Sequence, residues 1–414
     1  MQDAAIDPCP EQFRLLDPAV IEDPYPFYRA LLRHAPVYRV PDTPVYLVAS
    51  HALVHAALRN TRAFSANLTG ILITGESGAP ELFDLTQFGG TVDALANADE
   101  PVHAVHRKLV LRSLNARSVA AMQAEVREWV RPRVERLLLA GGGDCLGELA
   151  NPVPVMVMAR LTGLPVADVD RLLEWAFAGG DILSGTAGLA EMARLSESTG
   201  ALAAYLRDHL ARARRQPNVT GQSVLDALVA GEAAGLISEQ EAVSILIVLV
   251  GAAGESTSSL VGSAIRMLAG QPALQARLRG APALIERFVE EVVRLESPFK
   301  GHYRAVVEDA SLGGVHIPAG ARLLLLWAAA NRDPAVFDAP EDIDLQRVNA
   351  GEHLGFGHGI HFCVGARLAR MEACIILEEL LAQTREFAVA PGTTPQHVPS
   401  IFVRRLAELR LAMA

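Results

Sequence analysis

The residues with the clearest chemical potential surround Cys363. Gly355, Gly357 and Gly359 precede it and Gly365 follows it, and glycine lets a backbone turn sharply and approach a flat ligand closely. The next segment, LARMEACIILEELL, has the pattern of an amphipathic helix. Cys363 would then stand at a helix N-terminus, where the dipole and free N–H groups stabilise a thiolate. A thiolate in that position indicates a metal ligand rather than a packing residue.

Other metal chemistries fit this segment less well. Three histidines accompany the cysteine, but the glycine-rich spacing of His353, His358, His361 and Cys363 matches no common zinc pattern. A c-type haem needs C-x-x-C-H, which is absent. The remaining cysteines are scattered, and we interpret them as free structural thiols of a protein from a reducing cytoplasm: Cys9, Cys145 and Cys374.

A second group of polar residues interrupts the most apolar stretch of the chain. AVSILIVLVGAAG, residues 242–254, is followed at once by Glu255, Ser256 and Thr257. An acid and adjacent hydroxyls inside such a helix cost free energy unless they are used, so we favour a functional role. The alternative is that both hydroxyls only bond carbonyls of the preceding turn.

The cysteine segment resembles a known family. FGHGIHFCVG, residues 356–365, is similar to the haem-ligand loop of the cytochromes P450, with Phe, two Gly, a basic residue, Cys and Gly at its defining positions. The resemblance implies that Cys363 is the axial ligand of haem b and pushes electron density onto the iron, favouring O–O cleavage. It also implies that Phe356 packs beside the thiolate, that Gly365 lets the loop approach the haem, and that His361 bonds a propionate.

Further segments extend the resemblance over nearly the whole chain, nearest to actinobacterial members without assigned substrates. HAVHRKLV, residues 103–110, resembles the segment in which His103 and Arg107 would reach one propionate, and Arg304 in HYRAVV matches the arginine for the other. Glu291-Val-Val-Arg294 looks like the family's Glu-x-x-Arg. Arg347 matches the third member of that triad, whose implied role is to hold the cysteine loop. Alone, each of these residues is more often an ordinary surface charge.

The long helix departs from the family pattern. GAAGEST, residues 251–257, resembles the oxygen-activation segment, with Glu255 as the acid and Ser256 as the alcohol. Members usually carry Thr at the alcohol position and Gly at the position of Ala253. Thr257 follows immediately, so the sequence leaves open which hydroxyl works.

The resemblance implies a monooxygenase that inserts one atom of O2 into a small organic substrate. The alternatives are a related peroxygenase, isomerase or dehydratase, and a haem-based gas sensor; Glu255 and Ser256 argue against the first group. The segments expected around the substrate are mostly apolar and predict a hydrophobic molecule, with Lys300 and His302 either anchoring an anion or facing solvent. These segments are Phe64–Asp93, Ala252, Ala253, Phe299–His302 and Ser400–Val403.

Electrons must come from a separate protein. No G-x-G-x-x-G follows a strand, and no iron–sulfur cysteine spacing is present. We therefore expect a ferredoxin and a ferredoxin reductase as partners. A basic patch would dock the ferredoxin on the thiolate side, formed by Arg107, Lys108, Arg112, Arg117, Arg367 and Arg370.

The elements that must position these residues are mainly helical. Apolar periodicity predicts helices over 118–139 (bent or interrupted at Pro132), 155–162, 164–178, 197–214 and 281–296. A helix over 238–270, with a Ser-x-x-Glu capping box, would run roughly 45 Å. Short strands are predicted at 37–40, 45–49 and within 310–327.

The expected fold is therefore mainly α with a minor β part, a cytochrome P450 fold with the long helix over a buried haem. Without linkers or repeats in its 414 residues, the chain is expected to form one domain, 1–414. A net charge of −10 argues against nucleic acid as a partner. The N-terminus lacks signal-peptide features, and the apolar run is too short to span a bilayer. We expect a cytoplasmic monomer that does not enter membranes.

Overall fold

The computed structural model describes residues 8–88, 92–216 and 223–414. Its α-helices are α1 Pro18–Glu22, α2 Tyr25–His34, α3 His51–Arg59, α4 Val102–Leu111, α5 Ala116–Leu139, α6 Pro152–Thr162, α7 Val169–Ile182, α8 Leu189–Arg215, α9 Val224–Ala233, α10 Glu239–Ala269, α11 Pro272–Gly280, α12 Leu284–Glu296, α13 Trp327–Ala330 and α14 Ala366–Gln383. Its strands are β1 Val37–Arg39, β2 Val45–Val48, β3 Phe64–Ser65, β4 Gly70–Thr74, β5 Pro80–Asp84, β6 Gly142–Asp144, β7 His302–Val306, β8 Ala310–Leu312, β9 Val315–Ile317, β10 Arg322–Leu325, β11 Phe387–Val389 and β12 Arg410–Met413.

The fold is mainly α with a minor β part, which confirms the expected class. Helix α10 is its central element, 31 residues long, and it packs against α6, α7, α8, α12 and α14. Ser238 and Glu241 form the predicted capping box at its start. The helix is long and apolar enough to cross a membrane, but 67% of its apolar window is buried inside the fold. This burial is typical of a core helix.

Helix α5 was expected to bend or to be interrupted at Pro132. Pro132 lies inside the helix and does not interrupt it. Proline removes one backbone hydrogen bond, whereas Val126, Val130 and Val134 form a continuous buried stripe on this helix. Since α5 also has extensive contact with α14, its packing compensates for the proline.

Within the described residues the strands form four sheets. The largest sheet has the order β1-β2-β10-β7-β3. The predicted hairpin β1–β2 is present, and β8 and β9 flank a turn in which Gly313 and Gly314 have positive φ. Strand β7, which the sequence did not predict, pairs with β10 so that Arg304 lies opposite Leu323. That register fixes Arg304 within a central strand. The extent of the single domain, 1–414, stays a prediction.

Candidate active site

A cavity lies between α10 and the cysteine loop. One face of α10 forms one wall of the cavity, with Ala252, Ala253, Ser256, Thr257 and Leu260. These positions recur at three- to four-residue spacing and therefore share one side of the helix. The opposite wall consists of the loop 355–358 and 361–365 together with the first turns of α14.

Cys363 faces this cavity from a loop held by its own backbone. The Cys363 amide donates to the Phe356 carbonyl at 2.8 Å, and α14 begins three residues later at Ala366. Gly357 and Gly359 have φ values of 67° and 72°, a region that favours glycine. Burial raises the pKa of the free Cys363 thiol, while the Gly365 amide and the charges of Arg370 and Arg107 act in the opposite direction. The predicted position before a helix is confirmed.

Basic side chains gather on the same cavity. His103, Arg107, Arg304 and His361, predicted from three separate segments, all line it, and so does His302. The rings of His103 and His361 lie 4.3 Å apart between centroids. Arg107 Nη1 donates to the carbonyl of the residue before Cys363 at 2.8 Å. The fold therefore brings the predicted cations together beside the cysteine.

Two of these groups have unused hydrogen-bonding capacity. Arg304 is buried and its guanidinium bonds only the Tyr303 carbonyl, at 2.7 Å, within the described residues. The Nδ1 atom of His361 is buried and has no hydrogen-bond partner among the described residues. Burial lowers the pKa of Arg304 to about 10 and that of His361 to about 3, where the charge of Arg304 contributes. Buried donors without acceptors fit a ligand that carries anionic oxygens.

The residues present fit a haem. A thiol in a glycine-lined loop faces an apolar cavity, which is also lined by the Arg304 guanidinium and by a His361 imidazole whose Nδ1 has no partner in the described residues. An iron porphyrin requires both features, because its ring is apolar and its two propionates are anionic. Phe356, predicted to pack beside the ligand, also lines the cavity.

Glu255 lies in a different environment from the one expected. It is buried but does not line the cavity; its Oε1 accepts from Arg405 Nε at 2.9 Å. Arg405 also contacts Asp181 at 3.3 Å. Burial raises the pKa of Glu255 to about 8, with Arg405 opposing the rise and Asp181 adding to it. The carboxyl is thus turned toward α7 and the C-terminal segment.

The two adjacent hydroxyls differ in their bonding. Ser256 Oγ donates to the Ala252 carbonyl at 2.5 Å, as the alternative reading of the sequence expected. Thr257 is buried and lines the cavity. Its hydroxyl makes no hydrogen bond within the part of the chain that the structure describes.

The Glu-x-x-Arg pair is fully buried and is not a surface bridge. Arg294 makes two bonds to Glu291, at 2.8 and 2.9 Å, and Arg347 Nε lies 3.1 Å from the same carboxylate. Burial acts to raise the pKa of Glu291, but the bonds from Arg294 and from the Asp344 amide outweigh it and the pKa is lowered. Arg294 also donates to the Asn331 carbonyl. The Asn331 side chain in turn accepts from the Leu354 amide at 2.6 Å, at the start of the cysteine loop.

A second link from α12 to the loop was missed by sequence reasoning. Glu290 accepts from Arg370 at 2.5 and 2.8 Å and lies 3.2 Å from His353 Nε2. Burial acts to raise the pKa of Glu290, yet these bonds lower it to about 2. The Arg370 guanidinium lies 4.3 Å from the centre of the Phe356 ring. The only sequence signal was the acid next to Glu291, which gives no indication of either partner.

The predicted substrate segments line the cavity only in part. Ala252, Ala253, Phe299 and His302 do so, whereas Ser400–Val403 and the described residues of Phe64–Asp93 do not; residues 89–91 lie outside the described chain. Lys300 does not line the cavity and is fully buried, so the solvated-loop alternative is wrong for it.

Part of the predicted basic patch borders a surface groove. Arg107, Lys108 and Arg112 line this groove together with Gly359 and Ile360 of the cysteine loop. Arg370 is engaged with Glu290 and belongs to the support of the loop instead.

Comparisons with known proteins agree with this geometry. The family model described as Cytochrome P450 matches residues 283–405. The chain is 38% identical over 397 residues to cytochrome P450 144 of Mycobacterium tuberculosis, covering 95% of this chain and 89% of that protein. It is 32% identical over 391 residues to cytochrome P450 130 of the same organism, with 92% of each covered. A solved structure of cytochrome P450 CREJ in complex with (4-ethylphenyl) dihydrogen phosphate has a TM-score of 0.87 and 25% identity, covering 95% of this chain and 98% of that one.

Proposed function

Because this chain belongs to the cytochrome P450 family of haem–thiolate monooxygenases, we propose that it inserts one atom of O2 into a small, hydrophobic organic molecule. Its electrons come from a ferredoxin, itself reduced by a ferredoxin reductase. One observation carries this proposal: Cys363, the Arg304 guanidinium and the His361 imidazole line one largely apolar cavity together with the hydroxyls of α10.

Cys363 would ligate the iron of haem b, and His103, Arg107, Arg304 and His361 would bond its propionates. Haem iron, when bound, supplies the electron transfer and O2 chemistry that side chains lack. Phe356 and Gly365 shape the loop around the ligand. His302 would also bond a propionate, since it stands two residues from Arg304 on one face of β7 and lines the same cavity.

Glu255, Ser256 and Thr257 would deliver protons on the α10 side. Asp181 is 45% exposed and shares Arg405 with the buried Glu255. This arrangement supports a proton path from the surface to the Glu255 carboxyl. A rotation of Glu255 about its side chain would carry that proton toward the hydroxyls of the cavity wall.

The substrate is expected to be neutral as well as hydrophobic. Outside the cysteine loop, the cavity is lined by a group of apolar residues: Leu95, Val248, Leu249, Pro298 and Phe299. The cations on this cavity are those that serve the propionates, and Lys300 lies outside it. An uncharged molecule therefore matches the remaining surface best. We further propose that the protein is a cytoplasmic monomer.

Turnover assays separate this function from its alternatives. Haem-loaded protein is first screened against neutral hydrophobic metabolites for a ligand-induced spectral shift. Molecules that shift the spectrum are then incubated with NADPH, a surrogate ferredoxin and its reductase, or with peroxide alone. NADPH-dependent product containing one atom from labelled O2 is the expected result. Product with peroxide only would indicate a peroxygenase, rearranged product without any oxidant an isomerase, and gas binding without product a sensor.

A further inference from the structure

The segment that precedes α4 forms part of the cavity wall. Leu95 and Ala96 line the cavity and belong to a single 3-10 turn, Leu95–Asn97. Leu95 is buried and has a φ of 45°, a left-handed conformation that costs free energy in a residue with a side chain. Such a conformation persists only where the surrounding structure holds the residue in place.

A histidine of α4 bonds the backbone of this strained residue. The Leu95 amide donates to His106 Nδ1 at 3.2 Å, and the His106 side chain is fully buried. Because a backbone N–H can only donate, Nδ1 must be the accepting nitrogen of the ring. The proton of the neutral imidazole is therefore on Nε2. This bond fixes the tautomer of His106 and ties the cavity wall to α4.

The second nitrogen of His106 faces the start of α10. Nε2 lies 3.4 Å from Glu241 Oε1 without forming a hydrogen bond. The other oxygen of Glu241 accepts from the Ser238 amide and hydroxyl, both at 2.7 Å, in the capping box. Burial lowers the pKa of His106; Glu241 opposes this change and His103 adds to it. The ring is thus neutral at ordinary pH, and Nδ1 stays available as an acceptor.

We propose that His106 is a positioning residue for substrate selection, which holds Leu95 in the cavity wall by accepting a hydrogen bond from its amide. His106 does not line the cavity itself, so it acts through Leu95. Leu95 shares the apolar lining with Val248 and Leu249, and a shift of its side chain would change the shape offered to a bound molecule. The effect on substrate rests on the proposed function; the hold on Leu95 does not.

Two polar substitutions separate the nitrogens of His106. His106→Asn places an amide oxygen as many bonds from Cα as Nδ1, and His106→Gln places its amide as far out as Nε2. Only the asparagine can therefore keep an acceptor for the Leu95 amide. His106→Leu removes both polar atoms. Glu241→Gln is the control, because glutamine can also form the capping box and the bond to Nδ1 is left intact.

Hydrogen–deuterium exchange of the haem-loaded protein tests the hold on Leu95 directly. In peptides that cover residues 94–98, the Leu95 amide should exchange about 5- to 10-fold faster in His106→Gln and His106→Leu, because one hydrogen bond is lost. Exchange in His106→Asn and in Glu241→Gln should match the parent. Rescue by asparagine, but not by glutamine, would identify the acceptor at Nδ1 as the cause.

Absorbance titrations with two iron-binding probes measure the consequence for the cavity. Imidazole is small, whereas the phenyl ring of 4-phenylimidazole must pack against the apolar lining. His106→Gln and His106→Leu should weaken binding of 4-phenylimidazole by about 10-fold, the equivalent of one hydrogen bond. Binding of imidazole should not change, and His106→Asn should bind both probes as the parent does.

Three results would overturn the proposal. Parental exchange in His106→Gln and His106→Leu would show that His106 does not hold Leu95. Equal changes in His106→Asn and His106→Gln would show that the acceptor at Nδ1 is irrelevant. Equal weakening of both probes would indicate general damage to the haem site. None of these measurements requires turnover, so failure here is separable from failure of the proposed function.

Discussion

Ser256 and Thr257 differ in hydrogen bonding although they are adjacent in sequence. The Ser256 hydroxyl is engaged with the Ala252 carbonyl, and the buried Thr257 hydroxyl is unbonded in the described chain. Both groups nevertheless line the cavity. Each can therefore hold a proton close to the reacting centre, and the two can be separated by substitution.

We expect Ser256→Ala to keep NADPH consumption but to divert electrons to peroxide. Product per NADPH should fall by up to about 100-fold, the lower end of what a positioned proton-transfer group contributes. Ser258→Ala is the matched control, because Ser258 also bonds a carbonyl one turn back but does not line the cavity. If Ser256→Ala retains the parent's yield, Thr257→Ala should show the loss instead; parental yields in both variants would exclude these hydroxyls.

The pKa of Glu255 predicts a pH dependence of the same yield. Burial raises this pKa to about 8 against the charge of Arg405, so the acid carries its proton below pH 8 and loses it above. Product per NADPH in the parent should therefore fall as the pH rises through about 8. Glu255→Gln, which cannot titrate, should give a lower yield that is flat over this range. Parallel pH profiles for the two proteins would contradict the assignment.

Residues near Cys363 could be predicted because their chemistry is local. The glycine spacing and the helix that follows are visible in one short segment, and Arg107 and Arg304 lie in motifs of their own. The partner of Glu255 could not be predicted, since Arg405 is 150 residues away and neither segment identifies the other. Such pairings depend on how α10 meets the C-terminal segment.

At the scale of elements, α12 supports the cysteine loop through two acids. Glu291 binds Arg294 and Arg347, and Glu290 binds Arg370 and lies beside His353. The first network reaches the loop through Asn331, and the second reaches it directly. A substitution in α12 that breaks either network should therefore displace the loop that carries Cys363.

Arg294→Ala should destabilise the protein by about 3–5 kcal/mol, because it leaves Glu291 buried with too little compensation. Urea unfolding measures this loss, and the ratio of haem to protein after purification should fall with it. Arg287→Ala removes an exposed arginine from the same helix and should change stability by no more than about 0.5 kcal/mol. A stable, fully haem-loaded Arg294→Ala protein would refute this supporting role.

The elements themselves were predicted unevenly. The limits of α10 follow from its capping box and its apolar length, and the predicted end of the helix over 281–296 coincides with the end of α12 at Glu296. Strand β7 was missed because HYRAV is a short run whose partners are β10 and, from a distant segment, β3. Hydrogen bonds to those strands, rather than a local pattern, make it a strand.

At the scale of the whole molecule, charge is distributed unevenly. The chain carries a net charge of −10, yet Arg107, Lys108 and Arg112 line the groove beside the cysteine loop. Leu111 and Ile360 contribute exposed apolar surface in the same groove. A basic groove with apolar contacts suits a small acidic donor, and attraction at such a surface weakens with salt.

Arg112→Glu should slow reduction by ferredoxin by about 10-fold or more at low ionic strength, and the difference should shrink as salt is added. Stopped-flow reduction of the haem measures both effects. Arg215→Glu, at the exposed end of α8 and outside the groove, introduces the same change of charge and should behave like the parent. Equal slowing in the two variants would mean that net charge, and not this groove, governs the encounter.

Ligation of haem iron by Cys363 underlies every function proposed for this protein. The absorption spectrum of the reduced, CO-bound protein tests it most directly, because the position of the main band reports a thiolate ligand. We expect that band in the parent and in Cys374→Ala, and its loss in Cys363→His. A thiolate band that survives in Cys363→His, or one that disappears in Cys374→Ala, would contradict it.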